Sequence, residues 1–385
     1  MLNNYMALIL LENPLDDMKS LIKHRNHASL PLGGRYRLID FHLSNTVNCG
    51  ITNVGIIGDL KNSSSLTDHV NTGASWDLDR KNGGIFFLAK YNSNQTDSRI
   101  RDFETNLNYF HRSKQKNVLI MSTDMIYNMD FRKVFEEHES DGRELTVVYK
   151  HVENIGEKFY QAATVNLDEE GIVTGMGTNL LFSKEQNISL GAFVISKNLL
   201  IKLMGKQIER NEYGCLKELI TRNIPNIQSK GYEYTGYVAQ IKSIKDYYDF
   251  NMDLLFHPIT DALFKPEHPI YTKRMDTPPT LFKRNCSVEN SLISNGCQIM
   301  GTVRNSVIGR RVVVEKGAIV ENCVIMQNCV IKAGAHLRSL IVDKGNTIVE
   351  GLQLNSSPAY PLVIEKNSGL NKNLWDTMIR GDKYE

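Results

Sequence analysis

The chain has 385 residues, which is too many for one ordinary domain and about right for two. Hydrophobic residues make up 41% and charged residues 23%, and a net charge of +2 creates no strong field favouring nucleic acid or an anionic membrane. No apolar run approaches the roughly 20 residues of a membrane-spanning helix. The N-terminus lacks the basic start and the cleavage site of a signal peptide, so we expect a cytoplasmic protein.

The first predicted domain, residues 1–255, alternates short apolar runs with helical stretches. The runs that predict buried strands are Tyr5–Leu11, Val54–Ile57, Val118–Met121 and Leu145–Tyr149, and the helical stretches include Phe103–Gln115 and Phe131–His138. This alternation predicts an α/β fold with a mostly parallel sheet. Ligands of such sheets bind beyond the carboxyl ends of the strands, which predicts a site among Leu11–Asp17, Gly58–Ser65 and Ser122–Tyr127.

Residues 256–282 contain half of the ten prolines of the chain. They are Pro258, Pro266, Pro269, Pro278 and Pro279. Proline interrupts helices and favours extended backbone in the residue before it. This stretch therefore predicts an extended, Pro-rich linker between two domains.

The last predicted domain, residues 283–385, carries one aliphatic side chain every six residues. The unbroken series is Val307, Val313, Ile319, Ile325, Ile331 and Leu337. This period is typical of the hexapeptide parallel β-helix, in which each side of a three-sided coil contributes one inward aliphatic residue. Cys323 and Cys329 share one phase of the period and are expected to stack inside successive faces. The competing interpretation, an antiparallel β-sandwich, predicts alternation at two residues instead.

The six cysteines are scattered, and no two of them form a C-x-x-C pair. They are Cys49, Cys215, Cys286, Cys297, Cys323 and Cys329. We interpret them as small reduced core residues, with no zinc site indicated.

Five segments resemble the bacterial ADP-glucose pyrophosphorylases, or glucose-1-phosphate adenylyltransferases. They are PLGGRYRLIDFHLSN at 31–45, WDLDRKNGG at 76–84, NLNYF at 106–110, STDMIYNMDF at 122–131 and NMDLL at 251–255. The joint occurrence of WDLDR and GGRYRLIDF makes the resemblance specific, and it extends over nearly the whole chain. It implies a Rossmann-like nucleotidyltransferase domain followed by a left-handed parallel β-helix.

The segment that holds the triphosphate in family enzymes is altered here. Those enzymes have a loop of the form G-G-x-G-x-R-L after the first strand, whose backbone N–H groups contact phosphate. This chain has no glycine there and carries the carboxylates of Glu12, Asp16 and Asp17, which repel phosphate. His27 replaces a family lysine and, because histidine is mostly neutral at pH 7, is a weaker phosphate contact. A differently shaped loop that still binds nucleotide is the alternative.

The metal-binding positions are also altered. Asp124 matches the aspartate that binds Mg²⁺ in the family's G-D-H-I-Y motif, whereas Gln240 replaces the second metal aspartate and Lys242 brings a cation beside it. One remaining carboxylate would hold Mg²⁺ poorly. Asp124 is therefore either a metal ligand or a cap for the following turn. We expect no cofactor for this chain alone and Mg²⁺ in a catalytic partner.

The resemblance identifies three further remnants of a substrate site. Thr178 replaces the lysine that contacts the phosphate of glucose-1-phosphate, Asp59 replaces an adenine-contacting glutamine, and Gly191 lies in the same site. The segments 98–102 and 212–216 depart from the family motifs as well. These losses together imply very low turnover, since each such group typically supplies orders of magnitude in rate.

Several arginines are candidate contacts for a phosphorylated effector, which the resemblance places between the two domains. They are Arg25, Arg35, Arg37, Arg310 and Arg311. Two other interpretations apply to Arg35, Arg37, Arg99 and Arg101. In one, these arginines replace the lost catalytic cations; in the other, they form ion pairs on the surface or between the domains.

Three functions are consistent with the sequence. The first is a non-catalytic regulatory subunit that pairs with a catalytic ADP-glucose pyrophosphorylase homologue, as a heterotetramer. The second is an active nucleotidyltransferase with a divergent site, and the third is a sensor of sugar phosphates or nucleotides. Acyl transfer, which some hexapeptide proteins perform with an active histidine, would depend on His336 alone, and a single histidine on a coil is weak support.

Overall fold

The computed structural model describes residues 4–12, 16–58, 62–89, 106–153, 155–156, 158–180, 183–210 and 215–368. Within these residues the N-terminal domain is built on a nine-stranded sheet. Its strands are β1 Tyr5–Leu10, β4 Asn53–Gly58, β5 Gly84–Ala89, β6 Asn117–Ser122, β8 Leu145–Val152, β9 Ala163–Leu167, β10 Val173–Thr178, β11 Gln186–Ser196 and β12 Ser229–Glu233. Two small ribbons accompany it: β2 Pro31–Leu32 with β3 Tyr36–Arg37, and β7 Met125–Ile126 with β13 Ala239–Gln240.

The half of the sheet that carries the site is parallel, as the alternation of strands and helices predicts. Strands β5, β4, β1 and β6 are neighbours in that order and run parallel. Beyond them, β11 pairs antiparallel with both β6 and β8. All six residues of β1 are buried, which is typical of a central strand covered on both faces.

The helices begin and end at residues with clear signals. They are α1 Lys19–Ile22, α2 Leu38–Asn48, α3 Ser64–Val70, α4 (described over 106–112), α5 Phe131–Ser140, α6 Lys197–Glu209, α7 Leu216–Asn223, α8 Ile244–Asp253 and α9 His257–Leu263. The side chains of Asp130 and Ser196 cap α5 and α6 by accepting backbone N–H groups, and Ser243 forms a capping box with Asp246 at α8. None of the helices in the described ranges is both long and apolar enough to cross a membrane.

The sheet has a hydrophobic core on each face. Successive residues of β1 point to opposite faces, so Ala7 and Ile9 belong to one cluster, whereas Met6 and Leu8 belong to the other. Both clusters are closed by helices, which leaves the strand ends as the open edge of the domain.

The prediction of an extended linker over residues 256–282 is wrong for its first residues, which form a helix. Helix α9 lies inside the 256–282 stretch, with Pro258 in its first turn. Proline is accepted there because its missing N–H would have no helical partner at that position. Residues 264–280 contain no regular element, and the first strand of the next domain begins at Leu281, two residues before the predicted boundary.

Three parallel five-stranded sheets form the sides of the C-terminal β-helix. The first contains β14 Leu281–Phe282, β17 Gln298–Ile299, β20 Val313–Val314, β23 Val330–Ile331 and β26 Thr347–Ile348. The second contains β15 Ser287–Glu289, β18 Thr302–Arg304, β21 Ile319–Glu321, β24 His336–Arg338 and β27 Gln353–Asn355. The third contains β16 Leu292–Ile293, β19 Val307–Ile308, β22 Val324–Ile325, β25 Leu340–Val342 and β28 Leu362–Ile364. The predicted fold class is confirmed.

The phase of the aliphatic ladder is only partly as predicted. Val314 pairs with Ile331, and Ile331 with Ile348, so a regular coil has 17 residues, one fewer than three six-residue sides. The core of the coil contains Ile325, Ile331 and Leu337, as predicted, but on the preceding sides it contains Ile308, Val314 and Val320, each one residue after the predicted position. Val307 is also buried, but outside that core. Cys323 and Cys329 are buried in the same cluster, two residues before an inward aliphatic on successive sides.

The two domains meet at a buried joint. Apolar side chains from both of them form one cluster that includes Phe41, Phe250 and Met326. Inside the joint, Arg25 Nη2 donates to both carboxylate oxygens of Asp343, at 2.6 and 2.9 Å. Direct packing and this pair fix the β-helix against the α/β domain.

Candidate functional site

The segments that follow β1 and β6 meet at the open edge of the sheet. Leu10 and Ser122 are paired at the ends of these strands. Beyond them, Ser122 Oγ donates to Glu12 Oε1 at 2.7 Å, and the Glu12 backbone N–H donates to Thr123 Oγ1 at 3.1 Å. Two of the three segments predicted to form a ligand site are therefore adjacent, whereas residues 13–15 and 59–61 lie outside the described residues.

Asp124 is the central charged group of this edge. Its side chain is 2% exposed, and its Oδ2 lies 3.4 Å from Lys242 Nζ and 3.8 Å from Lys217 Nζ. Burial alone would raise the pKa of Asp124, but the two ammonium groups outweigh burial and lower it. Asp124 is thus ion-paired through Oδ2, while its Oδ1 has no hydrogen-bond partner among the described residues.

Lys242 and Lys217 come from different elements. Lys242 follows β13, and its ammonium donates to the Gln161 carbonyl at 3.0 Å while its backbone N–H donates to Asp246 Oδ2. Lys217 lies in the first turn of α7. Burial acts to lower the pKa of Lys217, but Asp124 and Glu12 reverse this effect and raise it, so the side chain stays charged.

Glu12 is the second carboxylate of the site. Burial, and then the charge of Asp124, raise the pKa of Glu12. From the sequence we interpreted Glu12 only as a group that repels phosphate, and Lys217 was missed. The sequence signal for Lys217 was weak, because this lysine lies just past the altered 212–216 segment and over 90 positions from Asp124.

Gln240 lies at the position expected for a second metal ligand. It pairs with Met125 in the β7–β13 ribbon, and the Ile241 N–H donates to the Asp124 carbonyl at 2.8 Å. The Gln240 side chain is buried, and neither its oxygen nor its nitrogen has a hydrogen-bond partner. The backbone therefore brings position 240 beside Asp124, although the side chain there is a neutral amide.

His27 is part of the buried wall of the site. Its Nε2 lies 2.8 Å from the Ile241 carbonyl, which can only accept, so Nε2 carries the proton and Nδ1 is left without a partner. Burial lowers the pKa of His27 to about 4. The imidazole is consequently neutral at pH 7 and supplies no cation to a phosphate.

The other predicted substrate-site residues are spread around this centre. Gly191 lies at a bulge in β11 with φ +63°, where an added Cβ would come 2.6 Å from Ser122 Cβ. Thr178 is exposed at the end of β10, and its neighbour Asn179 accepts the N–H of Gln161, whose carbonyl binds Lys242. Asp59 lies outside the described residues.

The predicted effector arginines fall into two neighbouring groups. Burial, followed by the charges of Arg37 and Arg25, lowers the pKa of Lys344 to about 7, and burial followed by the charge of Arg35 lowers the pKa of Arg310. Arg25 is 3% exposed and is engaged by Asp343, and Arg37 Nη1 donates to the carbonyl and the hydroxyl of Ser65. Arg311 occupies a left-handed position, φ +57°, on the β-helix. Arg35 and Arg310 both line a cavity of about 540 Å³ between the domains. Arg99 and Arg101 lie outside the described residues.

The Mg²⁺ that the resemblance implies does not fit this site. Mg²⁺ needs close oxygen ligands in near-octahedral geometry. Here Asp124 Oδ2 faces two ammonium groups, which repel a divalent cation, and Gln240 offers an amide in place of a carboxylate. In the described part of the chain, no three His, Cys, Asp or Glu side chains are placed to hold a metal. His336, the candidate for acyl transfer, is half-exposed on β24 with Nε2 3.7 Å from Glu321.

Comparisons with known proteins agree with this architecture. A family described as Nucleotidyl transferase matches residues 19–234, and one described as GlmU-like, C-terminal hexapeptide matches residues 279–359. The chain is 32% identical to the Glycogen biosynthesis protein GlgD of Bacillus subtilis (strain 168), over 95% of this chain and 97% of that protein. It is 30% identical to the Glucose-1-phosphate adenylyltransferase of Clostridioides difficile (strain 630), over 81% of this chain and 82% of that protein. It is also 32% identical to the GlgD protein of Geobacillus stearothermophilus, over 82% of each.

Proposed function

The chain belongs to the family of glucose-1-phosphate adenylyltransferases and their GlgD relatives, and we propose that it is a regulatory, catalytically impaired member. In this proposal it acts in glycogen biosynthesis by modulating a catalytic homologue that makes ADP-glucose and pyrophosphate from ATP and glucose-1-phosphate. The homologue supplies the Mg²⁺ site, and the two chains form a hetero-oligomer, as a tetramer. The location is cytoplasmic, which agrees with six cysteines that are all free thiols.

The observation that carries this proposal is the state of Asp124. Nucleotidyl transfer depends on placing cations and donors around the reacting phosphates. In this chain the retained carboxylate is already paired with Lys242 and Lys217, and Gln240 offers no charge to a metal. In the described residues the strands and helices that position these groups are present, which is the combination expected of a subunit that keeps the shape of an enzyme without its chemistry.

The experiment is pyrophosphate release from ATP and glucose-1-phosphate with Mg²⁺. It compares this chain alone, the catalytic homologue alone and a mixture of the two. We expect no release above background from this chain, and a higher rate or a changed substrate dependence in the mixture. Clear activity of this chain alone would support an active enzyme with a divergent site. An unchanged rate in the mixture, together with a failure to co-purify, would exclude the regulatory role.

The first coil of the β-helix supports the hetero-oligomeric part of the proposal. Within the described residues, β14 and β15 are each paired on one side only, and Leu281, Phe282 and Val288 are 46%, 52% and 38% exposed. An unpaired strand edge with exposed apolar side chains is an association surface in many proteins. We propose that this coil contacts the catalytic homologue.

A variant that carries Phe282→Asp and Val288→Lys tests this surface. It should lose co-purification with the homologue while keeping the melting temperature of the unmodified chain. Tyr360→Ser is the matched control, because Tyr360 is 84% exposed and lies elsewhere on the β-helix. Equal co-purification of both variants would mean that the contact lies on another face.

A sensor of phosphorylated ligands is the second candidate, favoured by the cavity between the domains. Cationic side chains line it together with one acid, Asp276; they are Arg35, Lys273, Arg274 and Arg310. The Arg310 guanidinium is half-buried beside Arg35, and burial followed by this like charge lowers the pKa of Arg310. Two close guanidinium groups gain from an anion between them.

Calorimetric titration with ATP, glucose-1-phosphate and inorganic phosphate tests the sensor. Binding should weaken at least tenfold in Arg310→Ala and stay unchanged in Arg304→Ala, where an exposed β-helix arginine pairs with Glu321. A flat titration of the unmodified chain with all three ligands would count against sensing.

A further inference from the structure

Four charged side chains from distant parts of the chain converge at the strand ends. Glu12 follows β1, Asp124 follows β6, Lys217 is the second residue of α7 and Lys242 follows β13. Asp124 is 2% exposed, and each lysine side chain is 17% exposed. Burying one of these charges alone would be strongly unfavourable, so their convergence means that each is compensated by the others.

The distances within this cluster are those of charge compensation rather than of tight pairing. An ammonium that donates directly to a carboxylate lies at about 2.7–2.9 Å, whereas the two lysines lie at 3.4 and 3.8 Å from Asp124 Oδ2. Around them, Asp124 Oδ1, both amide atoms of Gln240 and His27 Nδ1 are buried without partners. Buried polar atoms usually have partners, so the lysines balance the charge of Asp124 without completing the hydrogen bonds of the polar groups around it.

The two ammonium groups carry the charge of one divalent cation. Both ammonium groups are nearest to Oδ2 of Asp124. Lys242 also donates to the Gln161 carbonyl, and Lys217 also interacts electrostatically with Glu12. A metal that approached Asp124 would meet both charges at short range, in a buried region where charge repulsion is poorly screened. The lysines and a metal are therefore alternatives for the same carboxylate.

We propose that Lys242 and Lys217 together replace a divalent cation at Asp124, so that the strand ends are held together by built-in ammonium groups and the site binds no metal. This inference goes beyond the regulatory role and does not depend on it. A metal-free site could also belong to a chain that acts alone. It has one sharp consequence: removing an ammonium and restoring a carboxylate should create a metal site that the unmodified chain lacks.

The test measures the binding of Mn²⁺ without any other ligand. Electron paramagnetic resonance reports the concentration of free Mn²⁺, and thermal melting reports the stabilisation that binding causes. The variant combines Lys242→Ala with Gln240→Asp. We expect it to bind Mn²⁺ at least tenfold more tightly than the unmodified chain and to gain melting temperature when Mn²⁺ is added. Lys245→Ala is the control, because Lys245 pairs with Asp249 on the exposed face of α8. It should behave like the unmodified chain.

If the double variant fails to fold, a second measurement tests the inference. It compares the Mn²⁺ affinity of the unmodified chain with that of Asp124→Asn. We expect the same weak Mn²⁺ affinity for both, within twofold. Mn²⁺ binding to the unmodified chain that is lost in Asp124→Asn would overturn the proposal, as would a folded double variant that gains no affinity. Neither result depends on pyrophosphate release, so this proposal and the regulatory one can fail separately.

Discussion

The joint between the domains and the edge of the sheet each bury a carboxylate, and they satisfy it differently. At the joint, Asp343 receives two short hydrogen bonds from Arg25, and both side chains are at most 2% exposed. At the sheet edge, Asp124 is balanced by two lysines at longer distances, with unpartnered polar atoms around it. The first arrangement fixes a geometry, whereas the second balances charge at longer distances. The difference separates a directional salt bridge between the domains from a charge-balanced cluster at the strand ends.

Arg25→Ala should have the largest effect on stability. It leaves Asp343 charged and buried without its ion-pair partner, with one hydrogen bond from the Lys344 backbone N–H. This costs about 3–5 kcal/mol, and urea unfolding measures the loss. Lys245→Ala removes an exposed pair and should cost at most about 0.5 kcal/mol. Replacing both partners, as Arg25→Met with Asp343→Leu, should recover most of the loss. A similar cost for Arg25→Ala and Lys245→Ala would remove the distinction between the two carboxylates.

Acid should destabilise the sheet edge through its neutral histidines. Burial lowers the pKa of His27 and of His42 to about 4, from about 6.5 in the unfolded chain. Between pH 6.5 and 4 the unfolded state therefore binds more protons, so stability falls as the pH falls through this window. The loss at pH 4 is on the order of 3 kcal/mol for each histidine.

Melting curves measured from pH 7 to 4 would show this dependence. His42→Phe should reduce the slope, because it removes one of the buried groups that must stay neutral, whereas His27 remains, as do His69 and His138, whose pKa burial also lowers. An unchanged slope in His42→Phe would mean that other groups cause the acid sensitivity, and that the wall of the site is more open than its buried histidines indicate.

Gly191→Ala should destabilise the sheet edge by about 2–4 kcal/mol, the sum of left-handed strain and overpacking against Ser122. Gly142→Ala is the matched control, since Gly142 has nearly the same φ, +60°, but no atom within 4 Å of an added Cβ. It should cost only the strain, about 1–2 kcal/mol. Equal losses in chemical denaturation would mean that the strand ends can move apart without cost.

Val314→Ala should cost about 2 kcal/mol, because it removes buried methyl groups from the coil interior that supports the joint. Val313→Ala changes the adjacent residue, which is only partly buried in the same strand, and should cost well under half as much. Urea unfolding of the two variants compares them directly. A larger loss of stability for Val313→Ala than for Val314→Ala would mean that Val313 points into the coil, as the six-residue ladder predicts.

That ladder shows how far the sequence determines this fold. It predicts a β-helix correctly because one aliphatic residue per side is needed to fill the coil. It mistakes the phase because pairs such as Val313–Val314 and Ile319–Val320 offer two aliphatic neighbours, and periodicity cannot choose between them. The choice is made by the 17-residue coil, which depends on the pairing of strands.

The sheet edge shows the corresponding limit for the site. Motif positions led from the sequence to Asp124, Gln240 and Lys242, since these lie in segments that resemble a known pattern. The sequence did not predict that Lys217 and Glu12 interact with Asp124. No local sequence pattern links these residues, and they come together only when the chain folds. The helix α9 was missed for a different reason: a proline that ends most helices can also begin one.

The pairing of Arg25 with Asp343 also has a consequence for synthesis. The two residues are 318 positions apart, so at about 5–20 residues per second the ribosome adds Asp343 roughly 16–64 s after Arg25. Val324 lies 74 positions after Phe250, so for roughly 4–15 s of that time the apolar surface around Phe41 and Phe250 lacks the β-helix residues that begin at Val324. A chain released before residue 324 would keep that surface exposed, and such truncated products should be substrates for chaperones and proteases.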